Sequence, residues 1–220
     1  MNRPAAGSLA LLLLAAALAA CGDRGGDAAE RSHTSVLGGF GDQHARSAAD
    51  DAARLGLPPG APHDTRIVRA TPDAALALWV RDGHVVSATH APATGWTAPQ
   101  PLEDIYGEAS DPQLAGNGRG SAMAVWRHSV GNIHSLRYSR FDSSGWSVPD
   151  VMPGALPQPA SARAEPPRLE MDREGQVVAQ WPSGFDRKET QTARYVPGEG
   201  WSRALSAPLA AAAAAPRVVQ

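Results

Sequence analysis

The sequence predicts an all-β chain in which three four-stranded antiparallel sheets follow one another, with the first strand of a fourth after them and a leader and tether in front. Three observations lead there. The stretch Gly118-Arg119-Gly120-Ser121-Ala122-Met123-Ala124-Val125-Trp126 recurs as a pattern upstream, in Ala75-Leu76-Ala77-Leu78-Trp79, and downstream, in Gly175-Gln176-Val177-Val178-Ala179-Gln180-Trp181. Each copy is followed by a Gly-Trp pair, at Gly95-Trp96, Gly145-Trp146 and Gly200-Trp201, so all 6 tryptophans fall at two repeating positions. Finally, 22 glycines and 19 prolines in 220 residues imply many turns and few long helices.

Taken in order, the chain begins with Arg3 and an apolar run from Leu9 to Ala20, too short to span a bilayer as a permanent helix and suited to a signal peptide. It ends in Leu18-Ala19-Ala20-Cys21. This resembles the lipobox of bacterial lipoproteins, and the resemblance implies that residues 1–21 end at a lipidated cysteine, with Cys21 the mature N-terminus. Acyl chains there would give lasting membrane attachment. Gly22 stands where an aspartate marks inner-membrane retention in the enterobacterial sorting rule, so the resemblance implies the outer membrane. Cys21 is the only cysteine, which excludes an intrachain disulfide.

Residues 22–63 carry few large apolar side chains and no sustained period, and they read as a flexible tether. A short helix over residues 45–55 is compatible with its composition. His33, His44 and His63 lie there without cysteines or acidic residues at ligand spacing, so no metal site is expected.

Three repeats follow, over 64–111, 112–165 and 166–209. Each opens with a short apolar strand: Arg66-Ile67-Val68, Pro112-Gln113-Leu114-Ala115 and Pro167-Arg168-Leu169-Glu170. Turn residues come next, at Thr71-Pro72-Asp73, Asn117–Gly120 and Asp172–Gly175. The tryptophan strand is third in this sequence of signals. A third strand lies around 85–89, 133–141 and 190–195, and a glycine turn leads into the fourth at Trp96, Trp146 and Trp201. Trp79, Trp126 and Trp181 are 47 and 55 residues apart, and repeats of about 40–50 residues holding four strands mark β-propeller blades. Alternation puts Ala122, Ala124 and Trp126 on one face of their strand and Met123 and Val125 on the other. Both faces are apolar, as in a sheet covered on both sides.

With its Ala-x-Ala-x-Trp strand and its aromatic residue shortly before Gly-Trp-Ser/Thr, as in Phe141-Asp142-Ser143-Ser144-Gly145-Trp146-Ser147, the chain resembles bacterial β-propellers with sialidase-like blades over about residues 64–206. The hairpin is a loose relative of the sialidase Asp-box. It departs in its glycine-to-tryptophan spacing, and an aspartate appears in the second repeat alone, which speaks against sialidase activity.

The Ala-rich residues from 210 lead into Pro216-Arg217-Val218-Val219-Gln220, which matches the opening of the earlier repeats. Three blades and one strand do not close a ring of four to eight. A truncated product is the first expectation; an open stack and self-association of chains through the incomplete edge are the alternatives.

A net charge of −2 gives no basic face for nucleic acid. No nucleophile elbow, zinc spacing, calcium loop or phosphate-cradling loop appears, and no cofactor is expected. The loops after the tryptophan strands lengthen along the chain and form a candidate binding rim of Arg127, His128, Phe185, Asp186 and Arg187, the competing reading being solvated hairpin residues. Asp82-Gly83 reads as a tight hairpin turn. The functional expectation is an envelope lipoprotein that binds or scaffolds an envelope protein or glycan without catalysis. The alternative is an exo-sialidase-like glycoside hydrolase or its inactive remnant.

Overall fold

The computed structural model describes residues 50, 53–155, 158–159, 165–183 and 189–208. It contains three antiparallel sheets in chain order. The first comprises β1 (Arg66–Thr71), β2 (Ala74–Arg81), β3 (His84–Ala91), β4 (Gly95–Trp96) and β5 (Gln100–Pro101). The second comprises β6 (Glu108–Gly116), β7 (Ala122–Val130), β8 (Ile133–Asp142), β9 (Gly145–Trp146), β10 (Asp150–Val151) and β11 (Gln158–Pro159). The third comprises β12 (Arg168–Met171), β13 (Val177–Ser183), β14 (Glu189–Val196), β15 (Gly200–Trp201) and β16 (Leu205–Pro208). Each is a four-position meander, as the repeats require. Cys21 and residues 209–220, with the expected opening of a fourth repeat, lie outside the described residues.

Two boundaries differ from the expectation. β6 starts at Glu108, four residues before Pro112, and continues through an irregularity between Ser110 and Gln113 where Asp111 takes φ 52°. A bulge tolerates the proline because the ladder is already interrupted there. The fourth strand is also broken in two: Gly-Trp pairs with the third strand, three residues arch away, and pairing resumes at β5, β10 or β16.

A hydroxyl holds each break. Thr97 Oγ1 accepts the amide of Thr89 at 3.1 Å, Ser147 Oγ that of Arg140 at 3.0 Å, and Ser202 Oγ that of Arg194 at 3.0 Å. The Ser or Thr after each Gly-Trp therefore supplies an acceptor where the ladder loses one. Across the same pairing, the tryptophans meet His90, Phe141 and Tyr195 edge-on, at centroid distances of 5.1, 5.3 and 5.5 Å.

Strand alternation then sets the stacking. Trp126, Ala124 and Ala122 pack on Leu78, Val85, Leu76 and Ala70 of the first sheet, while Met123 and Val125 pack on Val177, Ala179 and Trp181 of the third. β7 is consequently buried on both faces, as its sequence predicts. The alanines let the sheets approach closely, and so does Gly116: a Cβ there would lie 2.8 Å from the Arg69 carbonyl.

The second tryptophan of each repeat reaches toward the sheet before it. Trp146 Nε1 donates to Ser87 Oγ of β3 at 3.0 Å, and Trp201 packs edge-on against Tyr138 of β8 at 5.6 Å. Ser87 pairs with Leu78 and Tyr138 with Val125, so the two occupy equivalent positions. The first sheet has no sheet before it among the described residues. Its tryptophan, Trp96, instead donates to the Gly56 carbonyl at 3.2 Å, and Leu55, Leu57 and Ala61 pack on Ile67, Ala75, Ala77 and Trp79. Residues 55–61, ahead of the first repeat, therefore pack on its sheet, where two leucines around a glycine cover the ring that the repeat leaves bare.

Candidate functional site

The turns on one side of the sheets are built by residues whose side chains serve the backbone. Asn117 Oδ1 accepts the amides of Arg119 and Ser121 at 2.9 and 3.0 Å, and Asp172 Oδ1 those of Glu174 and Gln176 at 3.0 and 2.8 Å. In the hairpin that resembles an Asp-box, Asp142 Oδ1 accepts the Ser144 amide at 2.8 Å and Oδ2 meets Arg140 at 2.5 Å. The amide bond, followed by the Arg140 charge, holds this carboxyl below its usual range. Its role is to shape the turn.

The opposite side holds the loops after the tryptophan strands. Asp82 and Gly83 take φ 53° and 78°, as a tight two-residue turn requires. Arg127 is a clamp: its guanidinium meets Asp111 at 2.5 Å and the Glu165 carbonyl at 2.9 Å, tying the β6 irregularity to the entry of the third sheet. His128 is buried, 9% exposed, with Nε2 against Gly107. Of the candidate rim residues, His128 is thus buried and Arg127 half-buried, while Phe185, Asp186 and Arg187 lie outside the described residues. Tyr138 is packed between the second and third sheets, and burial, then the Asp150 charge, raises its phenol above the ordinary value.

What faces solvent at this end is a different set. A cleft of 530 Å³ opens between the β2–β3 and β7–β8 hairpins and the connection from β5 to β6, lined in part by His84, Asp104, Ile105, Tyr106, Glu108 and Val130. Tyr106 is 87% exposed, and Ile105, Val130 and nearby-in-sequence Ile133 are exposed as well. The connection is fixed at both ends. Leu102 donates its amide to the Val85 carbonyl at 2.9 Å and packs against Trp126's cluster, Glu103 forms an ion pair with Arg137, and the Ala109 amide meets the Gly83 carbonyl at 2.7 Å.

Gly107 lets the connection lie flat on β7. At φ 127°, a Cβ there would sit 2.5 Å from both His128 Nε2 and the Ser129 carbonyl oxygen. Ile105 and Tyr106 carry no repeat signal in the sequence because they follow the last strand of the first repeat, where no period marks them. The available signal was a pair of large apolar residues in a stretch whose neighbours, Glu103, Asp104 and Glu108, are acidic.

Among the described residues, no group of three or more His, Cys, Asp or Glu side chains is arranged to hold a metal ion, and no helix is long and apolar enough to cross a membrane. No protein-family model matches the chain, and no curated protein matches it in sequence. Among solved structures it is similar to the Hadza microbial sialidase Hz136, at 15% identity and a TM-score of 0.43, over 64% of this chain and 37% of that one. The likeness thus spans little more than a third of the sialidase, and the chain itself is all-β, with three successive antiparallel sheets.

Proposed function

We propose that this chain is a lipid-anchored protein of the bacterial envelope whose stacked sheets present a recognition surface rather than a catalytic centre. The observation that carries the reading is the exchange of roles at the loop end. Arg127 is occupied in holding sheets together, while a fixed connection presents Tyr106 and Ile105 to solvent. Exposed apolar side chains on a rigid loop, rimmed by polar residues, are characteristic of surfaces that bind a partner. The anchor rests on Leu18-Ala19-Ala20-Cys21, with the outer membrane as the expected address.

Expression of the full chain in a bacterial host, followed by fractionation, tests the anchor. The wild type is expected in the membrane fraction, with acyl mass on Cys21, and Cys21→Ser in the soluble fraction; equal partition of the two would sink the lipoprotein reading. Incubation of the purified full chain with a fluorogenic sialoside tests the non-catalytic role. Turnover above the uncatalysed rate would transfer the chain to the sialidase alternative.

A further inference from the structure

The cleft beside Tyr106 has a chemistry that selects its ligand. Of its lining residues, Asp104 and Glu108 bear carboxylates and His84 an imidazole, and no lysine or arginine among the described residues lines it. Neither carboxylate has an ion-pair partner among the described residues, whereas Glu103, next to Asp104, is paired with Arg137. The cleft therefore carries unbalanced negative charge at its mouth, which disfavours an anionic ligand and favours a cation. Tyr106 stands between the two carboxylates in sequence, two residues from each, and presents nearly its whole ring. An exposed aromatic face attracts a cation held over it. Ile105 and Val130 add apolar surface for an aliphatic stem.

We infer that this cleft takes an arginine side chain of an extended partner peptide, its guanidinium plane over Tyr106 and its charge shared by Asp104 and Glu108. Arginine fits better than lysine because a planar guanidinium stacks on a ring and bonds a carboxylate through two N–H groups at once. The connection is pinned at Leu102 and Ala109, so its backbone is held before the ligand arrives and less entropy is lost in assembling the site. The inference rests on the binding-surface reading above and supplies its ligand.

The test uses the full-length chain in detergent and two peptides carrying a neutral fluorophore, Ala-Ala-Arg-Ala-Ala and the same peptide with citrulline, the uncharged isostere, read by anisotropy at low and high salt. The arginine peptide is expected to bind, with affinity falling about tenfold, or about 1.4 kcal/mol, on changing to citrulline. Tyr106→Ala and the double change Asp104→Asn with Glu108→Gln are each expected to weaken it by a similar factor. Added salt should weaken it further. Because Tyr106 is exposed, its removal leaves the fold intact, which circular dichroism checks. Equal binding of the two peptides, retention of affinity in the variants, or no binding of the arginine peptide overturns the inference. Those outcomes leave the non-catalytic reading standing, since that falls only to sialoside turnover.

Discussion

The first and third sheets end the described stack in opposite ways. On the first, the outward face of β2 carries Ala75, Ala77 and Trp79, all buried because residues 55–61 lie over them. On the third, the outward positions of β13 are Val178, Gln180 and Pro182, which are only partly buried, and Gln180 turns its amide to Thr192 Oγ1 at 3.5 Å. The contrast teaches that the repeat does not by itself fix how apolar a face is. The positions equivalent to Val178 and Gln180 are Leu76 and Leu78 in the first sheet and Met123 and Val125 in the second, all fully buried against a following sheet. Where fewer of the described residues cover the strand, a polar residue enters.

The strongest way to break this comparison is to truncate both ends alike. Trp79→Ala removes a fully buried indole and is expected to cost about 3–5 kcal/mol. Gln180→Ala removes a partly exposed amide and is expected to cost under about 0.5 kcal/mol. Denaturant unfolding of the two variants measures the difference. A Gln180→Ala cost approaching that of Trp79→Ala would mean that the third sheet's outward face is covered as closely as the first's.

A smaller effect sharpens the role of the covering segment. Leu57→Asp places a charge against Ile67, Ala75, Ala77 and Trp79 and is expected to cost about 2 kcal/mol while increasing binding of an apolar dye. An unchanged unfolding midpoint would return residues 55–61 to the tether. The sequence made the three sheets legible because tryptophan, glycine and hydroxyl positions recur with the repeat. The covering segment did not announce itself, since its apolar contact comes from Leu55, Leu57 and Ala61, too few to set a period. The cleft stayed hidden for a related reason: Tyr106 serves no sheet, and a residue that the repeat does not require leaves no trace in the repeat.

An effect between those of Trp79→Ala and Gln180→Ala lies at the inner junction, where the first two sheets meet. Trp146 Nε1 donates to Ser87 Oγ, whereas Trp201 at the next junction finds a tyrosine ring in the equivalent place and its indole N–H has no acceptor among the described residues. If the hydroxyl matters only as an acceptor, Ser87→Ala should cost about 1–2 kcal/mol, the penalty of stranding a largely desolvated donor. Ser87→Thr, which keeps the oxygen, should recover most of it. A neutral Ser87→Ala would show that ring packing alone holds both junctions, and that the acceptor at the first is incidental to how one sheet seats on the next.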